Sequence, residues 1–273
     1  MKAKRNELLK LMALTKRDCF VADKKQAQVK SCIVDKIGNK ISTTSLVRDG
    51  KTSVAHFQFK NHDSSFKGEQ FIIPDIDTFV GIVREHGETI TIKQKDNKLR
   101  ITSKTANGKV KTTTLKANEN ALAFPHTQET VKGWNAKSKE RAEQISRDGY
   151  TTLDGETINP FVEIRVATTD LLEALSSGSV NGQKLGRCEL ILNEWGLVAK
   201  AGDELKGRTT TELCEVDGKE FNVVIEGGLS FVLNKVENEY VVLSFFDFSQ
   251  WGQGIRVLFS FGDSWVFQAG VVT

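Results

Sequence analysis

One pattern occurs twice in this chain, and that repetition limits the folds open to it more than any other feature. Lys67 to Thr105, KGEQFIIPDIDTFVGIVREHGETITIKQKDNKLRITSKT, reads as strand, short helix, strand, strand, and Asp217 to Val257 reads the same way. A shift of 150 places Gly68 on Gly218 and Phe71 on Phe221. After one extra residue in the turn, a shift of 151 places Val80 on Phe231, Ile82 on Leu233, Arg84 on Lys235, Glu88 on Glu239, Ile90 on Val241 and Ile92 on Leu243. An earlier pair matches at a shift of 163, where Asn6-Glu7-Leu8-Leu9 resembles Thr169-Asp170-Leu171-Leu172. Patterns that recur in the same order mark one supersecondary unit used more than once. Two copies of one fold are therefore expected, each with two helices and many strands.

A chain of 273 residues can bury one large or two ordinary cores, and the repeat decides for two. The formal charge of +3 is unevenly placed: residues 1–60 carry 14 Lys/Arg against 5 Asp/Glu, and residues 161–273 carry 9 against 16. Such asymmetry suits a polyanion partner or head-to-tail association of a basic half with an acidic half, and equally an unevenly solvated surface. Cys19, Cys32, Cys188 and Cys214 have neither zinc-knuckle nor disulfide-framework spacing and read as reduced core thiols. The basic start, MKAKRNELLKLMALTKR, has its apolar run broken by Lys10, and no stretch nears the ~20 apolar residues that cross a bilayer. An intracellular, cytoplasmic protein is expected.

Along the chain, Leu8, Leu9, Leu11, Met12 and Leu14 gather on one side of a helix, with Lys2, Asn6, Lys10, Ala13 and Arg17 on the other. DCFVA, VKSCIV, KISTTSLV and TSVAHFQF then read as antiparallel strands separated by the turns Gly38-Asn39 and Asp49-Gly50. Strand Gln70–Ile73 precedes a helix from Asp75 to about Glu85, begun by Pro74, favoured by Asp75 and Asp77 at its positive end and closed by Gly87. TITIKQ, KLRITS and VKTTTL alternate, with Asn107-Gly108 as a hairpin turn. Residues 1–117 are thus expected as a first domain, 118–160 as a linker with one short helix in WNAKSKERAEQIS, and 161–273 as a second domain. In the second, Thr168, Thr169 or Asp170 can cap the next helix, Asp170-x-x-Glu173 has capping-box spacing, and SSGSVNGQKLG reads as a flexible loop. CELILN, GLVAKAG, RTTTELCEV, EFNVVIE, a helix near Leu229–Val236, YVVLSFF, IRVLFSF and WVFQAGVV follow. The class is α+β, dominated by antiparallel sheet.

Catalytic signatures are missing. There is no phosphate loop, no HExxH among His56, His62, His86 and His126, and no nucleophile elbow. Neither a metal nor a cofactor is implied, and a non-enzymatic role is expected. The aromatics from Phe245 to Phe267 alternate as packed strands do, with Val257, Phe259 and Phe261 on one face and Trp265, Phe267 and Ala269 on another.

The order and spacing of RNELLKLMALT, of FIIPDIDTFVGIVREHGETITIKQKDNKLRITSK, and of VEIRVATTDLLEALSSGSVNGQ with EFNVVIEGGLSFVLNKVENEYVVLSFF resemble the DNA polymerase sliding clamps. The likeness is to the tailed-phage processivity factors and, at the level of fold, to proliferating cell nuclear antigen. The resemblance implies two tandem clamp-type domains, each with two helices packed on antiparallel sheets, and three chains closing head to tail into a ring around duplex DNA. It implies a viral processivity factor in the host cytoplasm whose partners are double-stranded DNA, a DNA polymerase, a clamp loader and further copies of itself. It places Lys2, Lys4, Arg5, Lys10, Arg84, Lys184, Arg187 and Lys235 on hole-facing helices, with Lys16 and Arg17 just after the first helix. It also places a partner groove at Leu122, Phe124 and Pro125 with Ala269, Val271 and Val272. Lys/Arg against phosphate with no base-reading motif is the chemistry a sliding ring needs. A clamp-like factor that holds DNA without encircling it, and a β-rich viral structural protein, remain open on the sequence.

Overall fold

A computed structural model describes every residue except 17, 22–23, 28–30, 38–39, 47–52, 61–69, 96–97, 117–127, 147, 178, 181–182, 185–186, 204–206, 227–228 and 270–273. In chain order the elements begin with β1 (Lys2–Lys4), α1 (Arg5–Lys16), β2 (Asp18–Val21), β3 (Lys24–Ala27), β4 (Cys32–Ile37), β5 (Lys40–Leu46) and β6 (Ser53–Lys60). β7 (Phe71–Ile73), α2 (Ile76–Arg84), β8 (Thr89–Lys95), β9 (Lys98–Lys104), β10 (Val110–Lys116) and α3 (Gln128–Gln144) follow. Next come β11 (Ile145–Ser146), β12 (Gly149–Thr151), β13 (Thr157–Ile158), β14 (Val162–Ala167), α4 (Thr168–Ser177), β15 (Ser179–Val180) and β16 (Gln183–Lys184). The last are β17 (Arg187–Asn193), β18 (Gly196–Asp203), β19 (Gly207–Cys214), β20 (Phe221–Glu226), α5 (Leu229–Leu233), β21 (Tyr240–Asp247), β22 (Ile255–Phe261) and β23 (Ser264–Ala269).

The chain divides into two compact units, one made of Met1–Lys16, Val29–Arg48 and Ala55–Ala142, the other of Arg17–Gln28, Asp49–Val54 and Glu143–Thr273. In the first, strands run in the antiparallel order β1-β8-β9-β10 and in the order β6-β5-β4-β7. Helical spacing turns Leu8, Leu11, Met12 and Leu14 of α1 and Ile76, Phe79 and Val83 of α2 into the core. Period-2 alternation does the same for Ile90, Ile92, Leu99 and Ile101 of the sheet. In the second unit the orders are β14-β21-β22-β23 and β19-β18-β17-β20, with Leu171, Ala174, Val232, Leu243 and Phe259 buried.

The repeat read from the sequence extends to single hydrogen bonds. Ala3 lies opposite Ile90 as Val166 lies opposite Val241, matching the shifts of 163 and 151. Arg5 N donates to Glu88 O at 2.7 Å, and its counterpart Thr168 N donates to Glu239 O at 2.8 Å. Phe71 pairs with Val34, and its counterpart Phe221 pairs with Leu192. Asp75, expected at the positive end of α2, is its N-cap, with Oδ1 accepting from Thr78 N at 2.9 Å, and Glu85 rather than the expected Gly87 closes the helix.

Three expectations are corrected. The stretch read as linker holds a 17-residue helix, α3, and the small sheet β11-β12-β13. Tyr150 of β12 stacks on Phe267 and meets Phe248 edge-on, at centroid distances of 5.8 and 5.1 Å, so β12 covers part of one face of the second unit's sheet. SSGSVNGQKLG is not wholly loop, since β15 pairs with β16. Asp170-x-x-Glu173 is no capping box, because α4 already begins at Thr168, whose hydroxyl donates to Asn238 O at 2.6 Å. Cys32 and Cys188 are free and buried as expected, and burial pushes the Cys188 thiol up to about 12.

Two histidines couple the first unit to pH. His86, behind α2, is buried with Nδ1 2.9 Å from Ser103 Oγ and Nε2 2.9 Å from Thr113 Oγ1. Burial, then the Lys111 ammonium, lowers its pKa, with Glu85 opposing. His56 sits 3.1 Å from Thr44 Oγ1, and burial pushes it down to about 4 against the pull of Asp35. A histidine held neutral in the fold binds its proton more readily when unfolded, so its contribution is present above the unfolded value near 6.5 and is lost as pH falls towards the folded value. Stability is expected to fall between pH 6.5 and 4 by up to about 3 kcal/mol from His56 alone, at ~1.36 kcal/mol per unit. Urea midpoints at pH 7 and 4.5 measure the loss, and in His56→Gln the slope over that window flattens if His56 carries it.

Candidate nucleic-acid interface

Helices are the natural surface to test first, because their solvent sides can present long cations without distorting a sheet. α1 packs on α2 and α4 packs on α5. In the first unit α1 exposes Asn6 and Lys10, and α2 exposes Asp77, Gly81, Arg84 and Glu85. Lys16, the last residue of α1, reaches Asp77 Oδ1 at 2.6 Å and ties the two helices together. Glu85 is likewise engaged, accepting from Lys111 Nζ at 3.2 Å. Arg5 opens α1, but its Nη1 donates to His86 O at 2.9 Å and so secures the end of α2. Lys10 and Arg84 are exposed, whereas Arg5 and Lys16 are half-buried.

The second helix pair differs. α4 exposes Thr169, Asp170, Glu173 and Ser176, none of them cationic, and Lys235 lies half-buried just past α5. Of the other residues expected on helices, Lys2 and Lys4 stand on strand β1, Lys184 on β16 and Arg187 on β17. The reason is local: KAK pairs in register with Thr89–Thr91 of β8 before the helix can begin. Arg17 lies outside the described residues, as do Leu122, Phe124, Pro125, Val271 and Val272 of the expected partner groove. Ala269 ends β23 opposite Arg256.

Two concave sites occupy equivalent places in the two units. In the first, a cavity of about 790 Å³ is lined by Lys2, Arg5, Thr91, Thr102 and Lys104. In the second, one of about 400 Å³ is lined by Arg165, Tyr240, Val242, Ser260 and Trp265, with Ile145 of β11 at its wall. Lys2 and Arg165 are repeat equivalents, as are Thr91 and Val242. Arg165 lies 3.9 Å over the Tyr240 ring, a cation–π contact that the first unit cannot form because Thr89 stands there. Sequence reading named Lys2 and Arg5 but missed Lys104 of β9 at the first cavity, and the cations of β8 and β9 beyond it. Their signal was available, since KAK, TITIKQK, KLRITSK and VKTTTLK contain no acidic residue.

No family model matches the chain, and no curated protein matches it by sequence. Solved structures match it over its whole length. The DNA polymerase sliding clamp of Bacillus subtilis aligns with TM-score 0.60 at 13% identity, over 64% of that chain. The DNA polymerase III subunit beta of Pseudomonas aeruginosa aligns with TM-score 0.60 at 15%, over 65% of that chain. The beta sliding clamp of C. crescentus aligns with TM-score 0.64 at 14%, over 66% of that chain. The present chain therefore has the sliding-clamp fold and spans about two thirds of the length of these proteins. Among the described residues, no helix is long and apolar enough to cross a membrane and no cluster of His, Cys, Asp or Glu could hold a metal ion.

Proposed function

We propose that this chain is a sliding clamp: tandem clamp domains, three copies closed into a ring, duplex DNA through the centre, and a DNA polymerase and clamp loader as partners. The observation that carries the reading is the clamp fold over the full length of the chain. The role is non-catalytic and independent of base sequence, with Lys10 and Arg84 of the first unit as phosphate-facing cations and Arg17 and Lys235 as further candidates. Ring closure uses β10 and β19, each at the end of its sheet order, so each offers a row of backbone groups to a second copy. A head-to-tail contact of this kind is heterologous and closes only when its rotation does. The partner groove falls to Leu122, Phe124, Pro125, Ala269, Val271 and Val272.

In a double variant, Lys10→Glu with Arg84→Glu, affinity for duplex is expected to drop about tenfold or more for every sequence alike. Fluorescence anisotropy with two unrelated duplexes at one salt concentration checks this, and a loss confined to one of them counts against the sliding reading. Sedimentation at low micromolar concentration should give the mass of three chains; a monomer there removes the ring. The acidic exposure of α4 favours one second reading, a processivity factor that holds DNA on one face without encircling it. Retention on circular but not linear DNA separates the two.

A further inference from the structure

The sheet β1-β8-β9-β10 buries one face, through Ala3, Ile90, Ile92, Leu99 and Ile101, and turns the other to solvent. On that solvent face stand Lys2 and Lys4 of β1, Lys93 and Lys95 of β8, and Lys98, Arg100 and Lys104 of β9. None of the four strands carries an acidic residue. Lys4, Lys93, Lys95, Lys98, Arg100 and Lys104 are exposed and make no ion pair among the described residues. The remaining positions are largely threonine, with Thr91 opposite Thr102 and Thr102 opposite Thr112.

Pairing within this face is unfavourable on its own. Lys93 stands directly opposite Arg100, and Lys95 directly opposite Lys98. Like charges at opposed positions destabilise a sheet. The fold does not demand them, because the equivalent face of the second unit carries Val242, Leu258, Trp265 and Phe267 and is partly covered by Tyr150 and Ile145. An anion lying across these rows would remove the repulsion.

We infer that the solvent face of β1-β8-β9-β10 is a binding surface for the phosphate backbone of double-stranded nucleic acid, separate from the exposed cations of the helices. Charge selects a polyanion, and side-chain chemistry selects among polyanions. A protein partner would need a desolvated apolar or aromatic anchor, and these strands offer no aromatic residue and a single exposed large apolar one, Val110 at the edge. A single strand is held by aromatic platforms on which its bases stack, and they too are missing. A duplex presents phosphates outward, which Lys, Arg and Thr hydroxyls contact without reading bases. The seven residues of β9 run about 23 Å at ~3.3 Å each, enough to follow several phosphates. The cavity at one end of the strip is lined by three cations, Lys2, Arg5 and Lys104, against one carboxylate, Glu88, which leaves it net cationic.

The inference does not rest on ring formation, and its test is arranged accordingly. In the full chain, Lys93→Gln, Lys98→Gln and Arg100→Gln are combined; all three side chains are exposed, and a thermal melt confirms that the variant folds. Binding to a short linear duplex is followed by anisotropy across a salt series. Affinity is expected to fall at least about tenfold, and the slope of log K against log salt to shrink by ~2.7, or ~0.9 for each lost phosphate contact. Lys10→Glu with Arg84→Glu, measured in parallel, reports on the helix surface, so a failed ring and a failed sheet surface give different patterns. An unchanged affinity and slope in the glutamine variant overturns the proposal. So does a variant that keeps duplex binding but loses polyglutamate, because the face then serves an acidic polypeptide.

Discussion

Replacing Phe79 by alanine is expected to remove about 3–5 kcal/mol of stability from the first unit. Phe79 is fully buried on α2, between Ile76 and Val83, and its ring centre lies 6.4 Å from that of Phe71 in a tilted contact. It therefore joins the helix to strand β7, and thus to one of the unit's sheets. Truncation deletes a ring and leaves a void lined by side chains that already fill their own rotamers, so collapse recovers little. Against a typical total of about 5–15 kcal/mol this is a large share. Urea unfolding followed by tryptophan-independent circular dichroism measures it. A loss below about 1 kcal/mol would mean that α2 is not held by this contact.

The second large effect is expected at Gly87, where alanine should cost about 3 kcal/mol or more. A Cβ there would sit 2.2 Å from Lys104 O and 3.3 Å from its carbonyl carbon, and both belong to backbone that cannot swing aside. Overpacking ordinarily costs about 1–3 kcal/mol when side chains can adjust, and here the strand itself must move. The displacement would also break the hydrogen bond from Gly87 N to Ser103 Oγ, 3.0 Å long, and disturb the buried His86 beside it. Thermal melting checks the cost, and a change in the pH dependence of the midpoint reports the histidine. If alanine is tolerated with no shift in melting temperature, β9 does not approach α2 as closely as described.

Much of this architecture was legible because hydrophobic spacing and register are the same information. The 151-residue shift that matched Ile90 to Val241 is the shift at which β8 and β21 pair with their neighbours. Pro74, with Asp75 and Asp77 at the positive end of the dipole, identified the start of α2. The error at Lys2 and Lys4 was avoidable on the same grounds. The 163-residue shift that matched the helices carries Lys2–Lys4 onto Arg165–Ala167, which alternate as a strand. Three residues are too few to show alternation themselves, and a basic segment next to a helix is easily read into it. The role of Tyr150 was not legible, because its ring contacts with Phe248 and Phe267 span about 100 residues with no local periodicity. Arg5 shows a third limit: its type suggested phosphate, and only the fold shows its guanidinium turned to the His86 carbonyl.

Each unit closes on itself late. β1 pairs with β8 and β14 pairs with β21, partners roughly 80 residues apart, while the hairpins β8-β9 and β22-β23 are local. A hairpin forms in about 1–10 μs, but a ribosome adding about 5–20 residues per second needs on the order of 4–16 s to make those intervening residues. Throughout that interval β1, and later β14, wait for the strands that pair with them, while β5 and α2, which pack on α1, and β18 and β19, which pack on α4, are already made. The helices can therefore be covered while each sheet still has an unpaired edge, and the last strand pairing in each unit belongs to the short segment that leads into its first helix.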